Sequence, residues 1–184
     1  MSIPLPSGVE RVLFSEEQIQ ARIQEVAAAI GERYRGRDLK LVGVLKGSVF
    51  FLTQLARAIE IPVKIDFLSI SSFSNKSGAG LVRIAKDLDE SIEGEDVLLV
   101  EDIIDTGFTI RYLLHTLAGR APNSMGLCTL LDRTSRRIVQ VPVDYRCFEI
   151  GDHFVIGCGL DYKQLYRNLG FIAVMNPEIL RRSV

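Results

Sequence analysis

Apolar residues recur at every third or fourth position in several stretches of the chain, which is the spacing of one buried helix face. The clearest stretch begins after Ser15, which has the spacing of a capping box with Gln18, and ends near Gly36. The predicted helices cover residues 16–34, 49–59, 109–117 and 177–182.

Other apolar residues come in short aliphatic runs without helical spacing, and these runs predict β-strands. The predicted strands cover residues 39–45, 63–70, 81–87, 97–101, 126–131, 145–150, 154–156 and 171–175. Residues 71–80 are small and polar, so a mobile loop is expected there. Strands that alternate with helices predict one α/β domain over residues 1–184, with a mainly parallel, twisted sheet flanked by helices. Such sheets bind ligands at the carboxyl ends of their strands.

Composition excludes several classes of protein. The 184 residues are 47% hydrophobic and include 22 Lys plus Arg against 23 Asp plus Glu, a formal net charge of −1. This balance argues against nucleic acid or a membrane surface as the main partner, because both are bound through a cationic field. No apolar run approaches the ~20 residues that span a bilayer, and residues 1–12 lack the pattern of a signal peptide. The three cysteines have apolar neighbours and are interpreted as buried free thiols, so the prediction is a soluble cytoplasmic protein.

Three acidic residues stand at the carboxyl end of one predicted strand: Glu101, Asp102 and, three positions later, Asp105. Carboxylates accept hydrogen bonds from hydroxyls and hold hydrated Mg²⁺. Residues 106–109, with the sequence TGFT, then open a helix whose free amides and positive end suit a phosphate, although the lysine of a P-loop is missing. A ribose 5-phosphate would satisfy both halves. The alternative is a solvated strand end and an ordinary turn, with Asp105 as the cap of the helix.

The segment 97–109 resembles the phosphoribosyl-diphosphate (PRPP) signature of type I phosphoribosyltransferases, and its EDIIDTG core is most similar to hypoxanthine-guanine phosphoribosyltransferases. Three further segments resemble this family in the same order: LKGS at 45–48, Ser72-Phe73 where the catalytic lid begins, and residues 154–167. The resemblance implies a type I phosphoribosyltransferase fold with a small hood subdomain made from the chain termini. It also implies a flexible catalytic loop over about 71–86 and a homodimer or homotetramer.

The resemblance assigns roles to individual residues. It implies that Asp105 acts as general acid/base at the purine N7, and that Mg²⁺ is held by Glu101, Asp102 and Asp161. The implied PRPP ribose-phosphate site consists of Glu101, Asp102, Asp105, Thr106, Gly107, Phe108 and Thr109. The implied pyrophosphate site consists of Lys46, Gly47, Ser72, Phe73 and Arg167, with a non-proline cis peptide between Lys46 and Gly47. The implied purine site consists of Arg133, Phe154, Val155 and Asp161.

Two positions depart from the family pattern. Arg133 stands where the family has the lysine that donates to the purine 6-oxo group, so the ranking of hypoxanthine, guanine and xanthine stays open. Phe73 replaces the tyrosine of the lid. Beside Arg133, Arg136 and Arg137 are interpreted as a solvated face. Gly157-Cys158-Gly159 is not a dinucleotide fingerprint, because the third glycine and the following helix are missing.

The resemblance therefore implies a Mg²⁺-dependent transferase that joins hypoxanthine, and guanine as a second base, to PRPP in purine salvage. Two alternatives remain at this point. One is a regulator that senses PRPP or a nucleotide on the same fold, and the other is a transferase that prefers xanthine.

Overall fold

Parallel pairing of strands, of which β2, β5 and β6 are mostly buried, builds the main sheet of this protein. The computed structural model describes Pro6, residues 8–74 and residues 80–181, without the side chains of 72–74 and 80–82. The strands are β1 Val9–Phe14, β2 Leu39–Leu45, β3 Val63–Ser74, β4 Gly80–Lys86, β5 Asp96–Ile104, β6 Ser124–Asp132, β7 Tyr145–Glu149, β8 Val155–Ile156 and β9 Ile172–Met175. The helices are α1 Glu16–Arg33, α2 Ser48–Ala58, α3 Phe108–Ala118 and α4 Pro177–Arg181, and Thr134–Arg136 form a 3₁₀ turn.

The main sheet has six strands in the order β4-β3-β2-β5-β6-β7, and all neighbours are parallel except β3 and β4. Helices cover both faces, so the middle strands have no polar side. In β5 the four residues from Val97 to Val100 are fully buried, which explains why its sequence is a continuous aliphatic run rather than an alternating one. The predicted α/β class with a mainly parallel sheet is confirmed.

Helix α1 begins where the sequence predicted. The Ser15 amide donates to Gln18 Oε1 at 2.9 Å, and the Gln18 amide donates to Ser15 Oγ at 3.3 Å, which completes the capping box. The buried face of α1 consists of Ile19, Ile23, Val26, Ala27 and Ile30. These side chains pack with α2 and with one face of β2 and β5 in a single core cluster.

A second, three-stranded antiparallel sheet has the order β1-β9-β8. It joins the two ends of the chain, since Val9 pairs with Met175 and Phe14 with Ile172. This is the hood that the family resemblance implied. Strand β1 was not predicted, because its pairing partner lies about 160 residues away and none of its own six residues is buried.

The predicted loop at 71–80 is partly wrong. Strand β3 continues to Ser74 and pairs with β4 from Gly80 onward, with Ser71 opposite Arg83 and Ser72 opposite Val82. Main-chain ladder bonds do not depend on the side chain, so small polar residues extend the strand despite their weak β-propensity. Residues 75–79, the centre of the predicted loop, lie outside the described residues. A catalytic role for this hairpin stays a prediction.

Two further expectations concern the chain as a whole. Cys128, Cys147 and Cys158 are buried free thiols, as predicted. Burial raises the pKa of Cys147 to about 12 and that of Cys158 to about 11, which leaves both unreactive.

Within the described part of the chain, no helix has the length and hydropathy that a membrane crossing requires.

Candidate active site

The carboxyl ends of β5 and β6 border a cleft of about 330 Å³. The lining residues come from these strand ends and from the segment that follows β7: Asp102, Ile103, Asp105, Arg133, Arg136, Phe154, Val155, Leu160, Asp161 and Arg167. Seven of the predicted site residues therefore share one cavity. Its position follows the general rule for parallel sheets, in which the strand ends leave a crevice between the loops.

Asp105 and Arg133 form an ion pair on the wall of this cleft. Arg133 Nη1 donates to Asp105 Oδ2 at 3.1 Å, while Nη2 donates to the His153 carbonyl at 2.6 Å. The other carboxylate oxygen, Asp105 Oδ1, is buried and has no hydrogen-bond partner in the described part of the chain. Arg133 itself is only 7% exposed. A buried acceptor without a partner is costly, and Asp105 Oδ1 is the oxygen of this pair that still lacks a hydrogen bond within the described residues.

Asp102 lies against the turn that precedes α2. A Cβ atom built on Gly47 would overlap Asp102 Oδ2, and the Asp102 Oδ1 atom accepts from the Ile103 amide at 2.8 Å. Burial raises the pKa of Asp102 to about 6, against the lowering effects of the Ile103 amide and Arg167, and the nearby Asp161 adds to the rise. Two carboxylates that disfavour each other's charge form a site suited to a divalent cation.

A stability measurement checks this environment. A carboxyl whose folded-state pKa is raised holds its proton more tightly in the folded protein, so its contribution to stability is full below pH 4 and is lost as pH rises toward 6. The wild type should therefore lose stability relative to Asp102→Asn between pH 4 and 6. Urea unfolding of the metal-free proteins across this range measures the difference, and a constant difference would contradict the assigned burial.

Glu101 stands apart from the cleft. Neighbouring residues of a strand point to opposite faces, and Glu101 is not among the residues that line the cavity with Asp102. Its Oε2 is buried and unpartnered within the described residues, and burial, with a smaller effect of Asp102, raises its pKa well above the usual range. Glu101 is thus a buried carboxyl directly before Asp102 in β5, and its predicted role in the ribose-phosphate and metal sites stays a prediction.

The turn after β5 has the form expected of a phosphate site. Gly107 has φ +90° and precedes α3, and no side chain caps this helix end. Asp105 is therefore not its cap, because the carboxylate pairs with Arg133 instead. A Cβ atom on Gly107 would overlap the Val139 carbonyl, so a glycine is needed both for the backbone angle and for space. Phe108, which opens α3, is 48% exposed beside this turn, and Thr109 follows within the helix.

Lys46 and Arg167 come together in a cationic corner. Arg167 pairs with Asp161 at 2.6 Å and donates through Nη1 to the Gly159 carbonyl at 2.7 Å. The Gln164 side chain, which sequence reasoning missed, accepts from Lys46 Nζ at 3.4 Å and from Arg167 Nη2 at 3.5 Å. Lys46, Asp161 and Arg167, which were predicted separately, are therefore brought together.

The backbone before Gly47 corrects one expectation. The non-proline cis peptide joins Leu45 to Lys46, and the bond between Lys46 and Gly47 is not the cis one. Gly159 approaches the same turn, since a Cβ atom on it would overlap the Gly47 carbonyl. The glycines at 157 and 159 thus serve close backbone packing, which a motif comparison with dinucleotide sites could not detect.

Phe154 gives the cleft one aromatic wall, and this wall is open to solvent. Phe154 is 43% exposed and meets the Tyr162 ring edge-on, with 5.8 Å between ring centroids. The next residue, Val155, is buried in strand β8 and pairs with Val174. An exposed ring beside buried neighbours offers a face on which a planar base can stack.

The interpretation of Arg137 as solvated is wrong. Its side chain is 7% exposed, its Nε donates to the Asp105 carbonyl at 2.9 Å, and its Nη2 pairs with Asp132 Oδ1. Arg136 is 51% exposed as expected, but it lines the cleft and pairs with Asp152 at 2.6 Å. Two adjacent arginines give no sequence signal that distinguishes the buried one from the exposed one.

Comparisons with known proteins agree on one family. Residues 13–163 match the model of the phosphoribosyl transferase domain. A hypoxanthine-guanine phosphoribosyltransferase from Mycobacterium avium is 45% identical over 184 residues, which cover 96% of this chain and 91% of the relative. The crystal structure of a hypoxanthine phosphoribosyltransferase from Staphylococcus aureus is 40% identical with a TM-score of 0.92, covering 97% of this chain and 98% of that one.

A third relative was solved with a ligand. A variant of the Trypanosoma cruzi hypoxanthine phosphoribosyltransferase, complexed with the product IMP, is 39% identical with a TM-score of 0.90, covering 98% of this chain and 91% of that one. These matches extend over nearly the whole chain, and the TM-scores of 0.92 and 0.90 show that the fold is shared. The chain therefore belongs to the phosphoribosyltransferase family, and within it to the hypoxanthine-guanine phosphoribosyltransferases.

Proposed function

We propose that this enzyme transfers the 5-phosphoribosyl group of PRPP to hypoxanthine and guanine, with Mg²⁺, to give IMP or GMP and pyrophosphate. The observation that carries the proposal is the Asp105–Arg133 pair, which presents an unpartnered acceptor and a donor side by side in the cleft. The product bound in the Trypanosoma cruzi relative supports a 6-oxopurine nucleotide as the product here.

The pair is complementary to a 6-oxopurine edge. The free Asp105 Oδ1 would accept the proton on N7, and the Arg133 guanidinium would donate to the adjacent 6-oxo oxygen. Adenine carries an amino group at that position, and a guanidinium cannot accept a hydrogen bond from it. The exposed ring of Phe154 would stack on the face of the purine ring. This arrangement selects 6-oxo over 6-amino purines.

Asp105 also performs the proton transfer. As N9 of the base forms its bond to the anomeric carbon and the bond to pyrophosphate breaks, the proton on N7 becomes acidic and moves to Asp105 Oδ1. A positioned carboxylate of this kind contributes ~10²–10⁴ in rate. The anomeric carbon carries partial oxocarbenium character, so the alignment of base and leaving group matters most.

The cationic corner receives the leaving group. Lys46 and Arg167 already converge through Gln164, so both donors face the space that pyrophosphate would occupy. Asp102 and Asp161 would hold Mg²⁺, with the buried Glu101 next to Asp102 in the chain; the ion, when bound, would neutralise charge on the pyrophosphate. The start of α3, whose amides no side chain caps, would bind the 5′-phosphate together with Thr106, Gly107, Phe108 and Thr109. Ser72 and Phe73 of the β3–β4 hairpin keep their proposed role in the lid.

Replacing Arg133 with lysine tests its contact with the base. A lysine has one nitrogen and cannot hold Asp105, the His153 carbonyl and the 6-oxo oxygen in the same geometry. Arg133→Lys should therefore change the relative kcat/KM values of hypoxanthine, guanine and xanthine. Steady-state kinetics with the three bases measures this ranking, and an unchanged ranking would place Arg133 outside the base contact.

One assay tests the function itself. The purified protein with PRPP and Mg²⁺ is given hypoxanthine, guanine, xanthine, adenine or uracil, and nucleotide formation is followed. Transfer to hypoxanthine and guanine is expected, with adenine and uracil used far more slowly. Preference for xanthine would support the second transferase hypothesis, and PRPP binding without any transfer would support the regulator. We also propose a cytoplasmic dimer or tetramer, for which sedimentation velocity gives the assembly state.

A further inference from the structure

Arg137 connects the two residues proposed to recognise the base. Its side chain is 7% exposed, and it is not among the residues that line the cleft. Along one edge of the guanidinium, Nε donates to the Asp105 carbonyl at 2.9 Å and Nη2 pairs with Asp132 Oδ1. Asp132 immediately precedes Arg133 in the chain. One planar group therefore bonds to the backbone of Asp105 and to the residue next to Arg133.

The segment after Arg137 also contacts the turn that follows β5 and carries Asp105. The amides of Ile138 and Val139 both donate to the Thr106 carbonyl, at 3.0 and 2.9 Å. The Val139 carbonyl lies so close to Gly107 that a Cβ atom there would overlap it. Residues 137–139 thus pack against the turn at 105–107, which carries Asp105 and the amides proposed to bind phosphate, and hydrogen-bond to it.

We infer that Arg137 is a positioning residue, which sets the spacing between the Asp105 acceptor and the Arg133 donor without touching the substrates. The inference rests on the proposed roles of Asp105 and Arg133. A guanidinium suits this task because its planar fork serves two acceptors at a fixed separation, whereas a lysine ammonium serves them as a single point. An error of about 1 Å in such a spacing costs on the order of 10²-fold in rate.

The experiment compares Arg137→Lys with Arg146→Lys. Arg146 is the matched control, because its Nη1 donates to the other oxygen of Asp132 at 3.0 Å, while its other ion pair is with Glu149 and not with Asp105. We expect kcat for hypoxanthine to fall about 10- to 100-fold in Arg137→Lys, with a smaller change in the KM for PRPP and a lower ratio of hypoxanthine to adenine use. Arg146→Lys should keep kcat and this ratio while losing some thermal stability.

A second variant separates positioning from folding. In the double variant Asp132→Asn with Arg137→Gln, no buried carboxylate is left unpaired, and the bond from Arg137 Nε to Asp105 is still removed. This variant should fold, as judged by circular dichroism, and should show the same fall in kcat relative to Asp132→Asn alone.

Two outcomes would overturn the inference. One is a kcat and a base ratio in Arg137→Lys equal to those of Arg146→Lys. The other is loss of folding in both Arg137 variants, which would mean that the residue serves the fold and not the site. Failure of the wild type to form any nucleotide would instead reject the proposed function, so the two failures are distinguishable.

Discussion

Asp105→Asn should lower the turnover of hypoxanthine by ~10²-fold or more while PRPP binds almost as before. Arg133 donates to one oxygen of Asp105, so an asparagine there would keep its own oxygen toward Arg133 and turn its amide nitrogen toward the base. The amide nitrogen would then stand in place of Asp105 Oδ1, the buried acceptor without a partner. It cannot take the proton from N7, so the chemical step is slowed.

Asp152→Asn provides the matched control. Asp152 is an exposed carboxylate that pairs with Arg136 at 2.6 Å, close to the same turn. Its loss removes one negative charge from the region without removing the acceptor in the cleft, and turnover should change less than about threefold, as for an exposed ion pair of small energy. Equal effects of the two substitutions on kcat would contradict a specific role for Asp105. Calorimetry with PRPP measures the binding in each variant.

Gly47→Ala should reduce kcat/KM for PRPP by about 100-fold, because the added methyl group would displace Asp102 from its place beside the turn. The Gly47 backbone has φ −62° and ψ −42°, which any residue adopts, so no conformational strain contributes. The effect is therefore steric: the Cβ atom would overlap Asp102 Oδ2 and would lie 3.4 Å from the Gly159 carbonyl. Kinetics with varied PRPP measures the loss.

Gly31→Ala is the control for this substitution. Gly31 lies inside α1, and a Cβ atom built there has no neighbour within 4 Å. Alanine in place of glycine within a helix stabilises by about 0.5–1 kcal/mol, so this variant should melt slightly higher and keep full activity. If Gly47→Ala were as active as Gly31→Ala, the close packing of Asp102 against the turn would be refuted.

Much of the fold was predictable because its signals are local. The capping box of Ser15 and Gln18 set the start of α1, and the aliphatic run at 39–45 gave β2 with both of its ends correct. Such elements depend on spacing and propensity within a few residues, which the linear sequence contains. The acidic strand end and the glycine turn were predictable for the same reason.

The misses involve contacts between distant segments. Strand β1 exists because β9 pairs with it, and residues 71–74 are extended because β4 supplies their ladder bonds. Arg137 is buried because Asp132 and the Asp105 carbonyl accept its donors, although its neighbour Arg136 is exposed. No local pattern separates these cases.

The α/β class, the family and the chemical kinds of group in the site could all be predicted from the sequence, since each follows from local periodicity or from a short motif. Which groups meet depends on contacts across the folded chain. Arg133 holds one oxygen of Asp105 while the other has no partner among the described residues, and Glu101 is not among the residues that line the cleft with Asp102. The physical reason is that hydrogen bonding and burial depend on distances between segments far apart in the chain, and packing alone sets those distances.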